Sequence, residues 1–85
     1  MAKYTISIKK SAEKELKKLS AEMYLRVKKG ILNLAENPRP NGCKKLKGKE
    51  SYRIREGNFR IIYEIEDDVL IIMVVKIGHR KEVYD

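Results

Sequence analysis

Apolar and polar positions follow two different periods in the first 40 residues. Their alternation at positions 4–8 predicts a short strand. Ser11 and Ser20 are candidate caps for two helices, the first of them short. The second helix is marked by an apolar stripe at helical spacing, formed by Tyr24, Val27, Ile31 and Leu34. A cluster of Pro, Asn and Gly at positions 37–42 ends the pattern, which therefore predicts a strand followed by a helical hairpin.

The second half of the chain contains three more strand patterns. Ser51–Glu56 and Phe59–Glu66 alternate apolar and polar residues, whereas Val69–Ile77 is apolar almost throughout. The lysine-rich segment Lys44–Lys49 is predicted to be a basic loop. The order β-α-α-β-β-β predicts one α+β domain over residues 1–85, with the helical hairpin packed on one face of a small, mainly antiparallel sheet. The place of the first strand in the sheet stays open.

Gly57-Asn58 separates the first two of these strands as a two-residue loop, with glycine where a type II′ turn requires positive φ. This loop sets Arg55 opposite Arg60, and paired residues share a face of the sheet. We therefore expect Arg53, Arg55 and Arg60 to share the face that points away from the helices, called the arginine face below. A three-residue loop would instead set Ile54 against Arg60 and mix the two faces.

Asp67-Asp68 is predicted to be a second two-residue loop. It would set Val75 opposite Arg60 and, by alternation, place Ile77 and His79 on the arginine face as well. Like charges opposite each other destabilise a hairpin, and a local cost without structural gain is typical of a functional site. The alternative is that the arginines are solvated surface residues, paired with acids such as Glu64 or Glu82.

Charge supports a search for an anionic partner. The net charge is +8, and four of the six arginines lie between positions 53 and 80. Arginine binds phosphate through a planar fork, which favours nucleic acid, although a lysine-rich surface on a soluble domain gives the same net charge. The chain has no apolar run of about 18 residues and no secretory leader, so we expect no membrane association. A single cysteine, Cys43, fits a reducing cytoplasm, and with one histidine it disfavours a metal site or other cofactor.

Three segments in this order resemble the RelE/ParE toxin superfamily, and its RelE branch in particular, over nearly the whole chain. They are ENPRPNGCKKLKG, the following SYRIREGNFRIIYEI, and the ending VVKIGHRKEVYD. The resemblance implies a metal-independent endoribonuclease, an mRNA interferase that cuts the codon in the ribosomal A site. The ribose 2′-OH attacks the adjacent phosphate and leaves a 2′,3′-cyclic phosphate and a 5′-OH.

The resemblance also assigns roles to residues. Arg60 and Arg80 would bind the phosphate, and Tyr84 would stack on a base and assist proton transfer. Arg53 and Arg55 lie where RelE proteins often have lysines, and they are poor general bases because guanidinium stays protonated. His79 is our candidate base, since a free imidazole has a pKa of about 6.5; it could instead only bind RNA or close the turn. Tyr84 could likewise be an aromatic residue packed on the sheet.

The resemblance implies partners and leaves rival functions open. The chain would bind the ribosome and its mRNA. An acidic antitoxin would hold the toxin inactive and would bind operator DNA, so that the toxin reaches this DNA only indirectly. Contacts to RNA are expected from the lysine cluster, formed by Lys44, Lys45, Lys47 and Lys49, unless these lysines are simply solvated. One rival is a ParE-like inhibitor of DNA gyrase, and another is an inactive member that serves only as a binding partner.

Overall fold

The computed structural model describes residues 3–47 and 50–79, which form two helices and a five-stranded sheet. In chain order these are β1 (Thr5–Ile8), α1 (Lys10–Lys17), α2 (Ala21–Asn33), β2 (Lys44–Lys45), β3 (Ser51–Glu56), β4 (Phe59–Glu66) and β5 (Ile71–His79). The strands lie side by side in the order β1-β5-β4-β3-β2. β1 runs parallel to β5, and the other neighbours are antiparallel. The predicted α+β class is confirmed.

The two helices begin differently. α2 has the predicted cap, since the Ser20 Oγ accepts a hydrogen bond from the Met23 backbone N–H at 3.3 Å. The prediction for α1 is wrong, because Ser11 lies inside the helix and Lys9 precedes it without a side-chain cap. β1 leads into α1 with no loop between them, and the Lys9 carbonyl already accepts the Glu13 N–H at 2.9 Å. The residue that precedes α1 therefore does not cap its first turn with a side chain.

The core lies between the helices and one face of the sheet. The predicted apolar stripe is buried at Val27 and Ile31 of α2 and at Leu34, the residue that follows the helix. The sheet contributes the other fully buried large side chains, which are Ile61, Tyr63, Ile72, Val74 and Ile77. Within the described residues, no helix has the length and apolar character that a membrane span requires.

Two predicted loops differ from the structure. Lys44 and Lys45 form the short edge strand β2, paired with Arg53 and Tyr52, so the segment is not entirely a loop. The two-residue loop at Asp67-Asp68 is also wrong, because Glu66 pairs with Ile71 and four residues form the turn. Val69 and Leu70, which look like the start of a strand, lie in that turn and are 53% and 43% exposed. Leu70 has a φ of 54°, which a non-glycine residue rarely adopts.

Arg39 connects the loop after α2 to two other parts of the fold. Its NH2 lies 2.9 Å from Asp67 Oδ2 and its NH1 lies 3.3 Å from Oδ1, and its Nε donates to the Tyr52 hydroxyl at 3.0 Å. The Tyr4 hydroxyl donates to the same Asp67 carboxylate at 2.7 Å. Hydrogen bonds from Arg39 and then Tyr4 lower the pKa of Asp67 below its usual value. The β4–β5 turn, the segment before β1 and the loop after α2 are thereby joined.

The lowered pKa predicts a pH dependence of stability. Its contribution is fully present above the unfolded pKa of about 3.9 and is lost as pH falls through the lower folded value. Asp67→Asn is therefore expected to lower the melting temperature at pH 7, and this difference from the original chain should shrink below about pH 4. Thermal unfolding followed by circular dichroism between pH 2 and 7 measures this. Asp68→Asn, which changes the neighbouring exposed carboxylate, is the control; an equal effect there would refute the prediction.

Candidate functional site

The β3–β4 hairpin has the predicted register. Arg55 pairs with Arg60 and Glu56 pairs with Phe59, so the loop is the two-residue Gly57-Asn58. Gly57 has a φ of 60°, as expected at the first position of a type II′ turn. The arginine face is confirmed as the face opposite the core, because the alternate residues of both strands point toward the helices.

Three arginines share this face but differ in exposure. Arg53 is only 7% exposed, Arg60 is half-buried and Arg55 is exposed. The Nε nitrogens of Arg53 and Arg60 are buried. Residues directly opposite each other have Cβ atoms about 5 Å apart, so the facing pair Arg55 and Arg60 places two cations within reach of one phosphate. Partial burial of Arg60 weakens screening by water and strengthens its attraction for an anion.

A one-residue bulge changes the neighbouring strand. Ile62 pairs with Lys76, but Tyr63 pairs with Val74, so Val75 is an extra residue in β5. Each residue after the bulge is shifted to the other face of the sheet relative to the prediction. Gly78, and not Val75, therefore lies opposite Arg60.

The bulge corrects the predicted positions of two residues. Ile77 pairs with Ile61 and lies in the core, 1% exposed. His79 pairs with Phe59, and its ring meets the Phe59 ring edge-on at 5.7 Å between centroids. The placement of Ile77 and His79 on the arginine face is therefore wrong. Whether His79 transfers a proton stays a prediction.

The same shift brings Lys76 to the arginine face, opposite Ile62. Lys76 was not among the residues predicted for the site. A signal was present, because Lys76 is the only charged residue between Val69 and Gly78 and it is exposed. A lone charge in an apolar strand indicates a position that faces water.

The predicted lysine cluster is divided between the two faces. Lys44 pairs with Arg53 and so lies on the arginine face, whereas Lys45 pairs with Tyr52 and its Nζ lies 3.3 Å from Glu50 Oε1. A cavity of about 540 Å³ borders this edge of the sheet. It is lined by Lys44, Lys45, Leu46, Lys47, Ser51 and Ile62. Arg80, Tyr84 and Lys49, which complete the predicted site, lie outside the described residues.

The tip of the β3–β4 hairpin, which carries Arg55 and Arg60, is held against α2. The Glu56 Oε1 lies 3.5 Å from the Arg26 Nε, and the Glu56 carboxylate also occupies the space above Gly30. A Cβ at Gly30 would lie 2.9 Å from Glu56 Oε2, closer than such atoms normally approach. Glycine in a helix costs about 1 kcal/mol relative to alanine, and this contact gives a structural reason for that cost. Glu56 thus anchors the end of the hairpin that carries Arg55 and Arg60.

This contact predicts that the effect of Gly30→Ala depends on Glu56. In the Glu56→Ala background the added methyl meets no carboxylate, so Gly30→Ala should stabilise the chain by about 0.5–1 kcal/mol through helix propensity. In the original chain the displaced Glu56 should cancel or reverse that gain. Urea unfolding of the two single variants and the double variant measures the difference. Equal effects in both backgrounds would contradict the role of Glu56.

Comparison with known proteins gives the family. A family model, the ParE toxin of the type II toxin–antitoxin system parDE, matches residues 6–84. A putative toxin RelE1 from Methanocaldococcus jannaschii is 37% identical over 86 residues, which cover 96% of each chain. The mRNA interferase toxin RelE of Escherichia coli is 30% identical, over 95% of this chain and 90% of that one.

A solved structure matches the fold over almost its whole length. The archaeal RelE–RelB complex from Pyrococcus horikoshii contains a chain that superposes with a TM-score of 0.85 at 28% identity, over 95% of this chain and 99% of that one. Sequence, fold and length therefore agree: the chain belongs to the RelE/ParE superfamily of type II toxin–antitoxin toxins and is RelE-like.

Proposed function

We propose that this toxin is an mRNA interferase that cleaves mRNA in the A site of the ribosome. One structural observation carries the proposal: Arg55 and Arg60 face each other on the sheet face opposite the core, with Arg53 beside them. Like charges directly opposite each other are a local cost to a hairpin, and such a pair suits a phosphate that gains negative charge during reaction. The name of the Escherichia coli relative, an mRNA interferase, supports the same activity.

The proposed reaction is an internal transesterification that needs no metal. The 2′-oxygen forms a bond to the adjacent phosphorus, and the bond from phosphorus to the 5′-oxygen breaks. The 2′-OH gives its proton to a base, and the leaving 5′-oxygen receives one from an acid. The products are a 2′,3′-cyclic phosphate and a 5′-OH. Arg55 and Arg60 would stabilise the extra charge of the pentavalent intermediate, with Arg80 as a third cation.

The lysines would guide the RNA toward these arginines. Lys44 and Lys76 lie on the arginine face, and Lys47 lines the cavity at the β2 edge. Contacts of this kind bind the phosphate backbone without reading sequence, so the ribosome would supply the position of the cut. The apolar side chains of Leu46 and Ile62 in the same cavity offer a surface on which a base can rest.

Proton transfer is assigned to Tyr84 and His79. The register places His79 beside Phe59 at the end of β5, so its ring would have to reach the RNA around the strand end. If His79 is the base, His79→Ala should lower the cleavage rate by about 10²-fold. Single-turnover cleavage measures the loss. A variant that cleaves at the original rate would leave Tyr84 as the proton donor or acceptor, which Tyr84→Phe then tests.

An acidic antitoxin is the proposed partner of the toxin. The Pyrococcus horikoshii relative was solved as a complex with RelB, and the net charge of +8 on this chain suits an acidic segment. Complementary charge steers such an encounter. Operator DNA would be bound by the antitoxin and only indirectly by this chain.

The decisive test is primer extension on ribosome-bound mRNA. The purified chain is added to ribosomes that hold a defined mRNA with a known codon in the A site, and to the same RNA without ribosomes. Discrete breaks within the A-site codon, with free RNA cut poorly, are the expected result. Intact mRNA would contradict the proposal.

A second candidate function is favoured by one finding, since the matching family model is that of ParE toxins. A ParE-like chain would inhibit DNA gyrase by binding protein and would need no nuclease site. A gyrase supercoiling assay on the same preparation separates the two functions. Inhibited supercoiling with intact mRNA would favour the ParE function, and no effect in either assay would indicate an inactive member.

A further inference from the structure

The bulge at Val75 adds a different kind of cation to the arginine face. Lys76 follows the bulge and pairs with Ile62, so its side chain lies on the face opposite the core. Lys76 is exposed, and within residues 3–47 and 50–79 it forms no ion pair, although Glu64 of β4 lies on the same face. Its ammonium group, on a flexible stem, is therefore available to a ligand beside the planar guanidinium groups.

Lys76 and two arginines surround the side chain of Ile62. Arg53 and Lys76 are the cross-strand partners of Ile62 on its two sides. Neighbouring strands lie about 4.8 Å apart, so the backbones of these two residues are about 10 Å apart. Arg60 precedes Ile62 by two residues in β4, and it is diagonal to Lys76 because it pairs with Gly78.

This diagonal arrangement suits a phosphate that both side chains contact. Residues placed diagonally across two strands have Cβ atoms about 7–8 Å apart, which is within reach of long side chains. A phosphate bound by Arg60 above Ile62 can therefore also meet the ammonium group of Lys76. Lys44 lies on the same face, but it stands at the β2 edge, beyond Arg53.

The proposed cleavage needs a proton donor at this place. When the bond from phosphorus to the 5′-oxygen breaks, its electron pair goes to the 5′-oxygen, which takes up a proton to become the 5′-OH. The arginines are unsuited to this task, because guanidinium keeps its proton. A lysine ammonium carries protons that it can release, and lysine is one of the side chains that perform acid–base catalysis.

We propose that Lys76 is the general acid of the cleavage, and that its ammonium group gives a proton to the leaving 5′-oxygen of the phosphate that Arg60 binds. The amine that remains recovers a proton from water. This inference rests on the proposed cleavage of mRNA, and it leaves the proton of the 2′-OH to His79 or Tyr84.

A substrate with sulfur in place of the 5′-oxygen tests the proton transfer. A thiolate leaves without being protonated, so a general acid does not speed its departure. Ribosomes are programmed with mRNA that carries oxygen or sulfur at the bond that the original chain cuts, and single-turnover rates are compared. Lys76→Arg keeps the positive charge but holds its protons. It should cleave the oxygen substrate about 10²-fold more slowly than the original chain, and the sulfur substrate within about threefold of the original rate.

Lys44→Ala is the matched control, because Lys44 is expected only to contact the phosphate backbone. It should slow the cleavage of both substrates by the same factor. Circular dichroism establishes that both variants are folded.

The outcomes separate the role of Lys76 from the cleavage itself. If the original chain cuts mRNA, the role of Lys76 is overturned when Lys76→Arg slows both substrates equally or cuts the oxygen substrate at the original rate. If the original chain leaves both substrates intact, the proposed cleavage fails, and the role of Lys76 fails with it.

Discussion

Arg60→Ala is expected to lower the rate of mRNA cleavage on the ribosome by about 10²–10³-fold, the usual cost of removing one preorganised group that stabilises transition-state charge. Arg60 is half-buried and pairs with Arg55 across the hairpin. A neighbouring side chain therefore cannot readily take the position of its guanidinium group. Single-turnover cleavage of a defined A-site codon, with ribosomes in excess, measures the loss.

Two comparisons separate this effect from a loss of folding. Arg60→Lys keeps the charge but not the planar fork, so it should recover only part of the rate. Circular dichroism and urea unfolding of Arg60→Ala establish that the variant is folded under the conditions of the assay. If the variant is folded and cleaves at the original rate, the arginine pair does not perform the chemistry.

Ile61→Ala is expected to lower the free energy of unfolding by about 2–5 kcal/mol, a large part of the stability of a small domain. Ile61 lies on the central strand β4, is 0% exposed, and has Ile54 and Ile77 as its cross-strand neighbours. Truncation leaves a cavity that the surrounding sheet and helices close only in part. Urea unfolding followed by circular dichroism gives the difference.

Leu25→Ala is the matched control for this substitution. Leu25 lies on the outer side of α2 and is 67% exposed, so the same loss of side-chain carbon should cost less than about 0.5 kcal/mol. Similar losses for Leu25→Ala and Ile61→Ala would mean that the core is not where the structure places it.

The part of the site that could be predicted depended on local chemistry. Gly57 permits a positive φ, and this fixed a two-residue loop and the register of β3 against β4. The faces of Arg53, Arg55 and Arg60 followed from that register alone. The stripe on α2 and its cap at Ser20 were equally local, and both are confirmed.

The part that failed depended on the packing of the whole sheet. Asp67-Asp68 resembles a tight turn, but the hydrogen-bonded Asp67 lies in a four-residue turn that includes two exposed apolar residues. The extra residue Val75 reverses the faces of Ile77 and His79, and no pattern in an apolar strand marks where a bulge occurs. The two-residue strand β2 is too short to have a period.

The parallel pairing of β1 with β5 has a consequence for synthesis. Thr5 lies beside Ile71, so the first strand has no partner until the last strand has been translated. Pairing over such a separation in sequence is a late and slow event in folding. The sheet that carries the arginines is thus completed only after β5 has been translated.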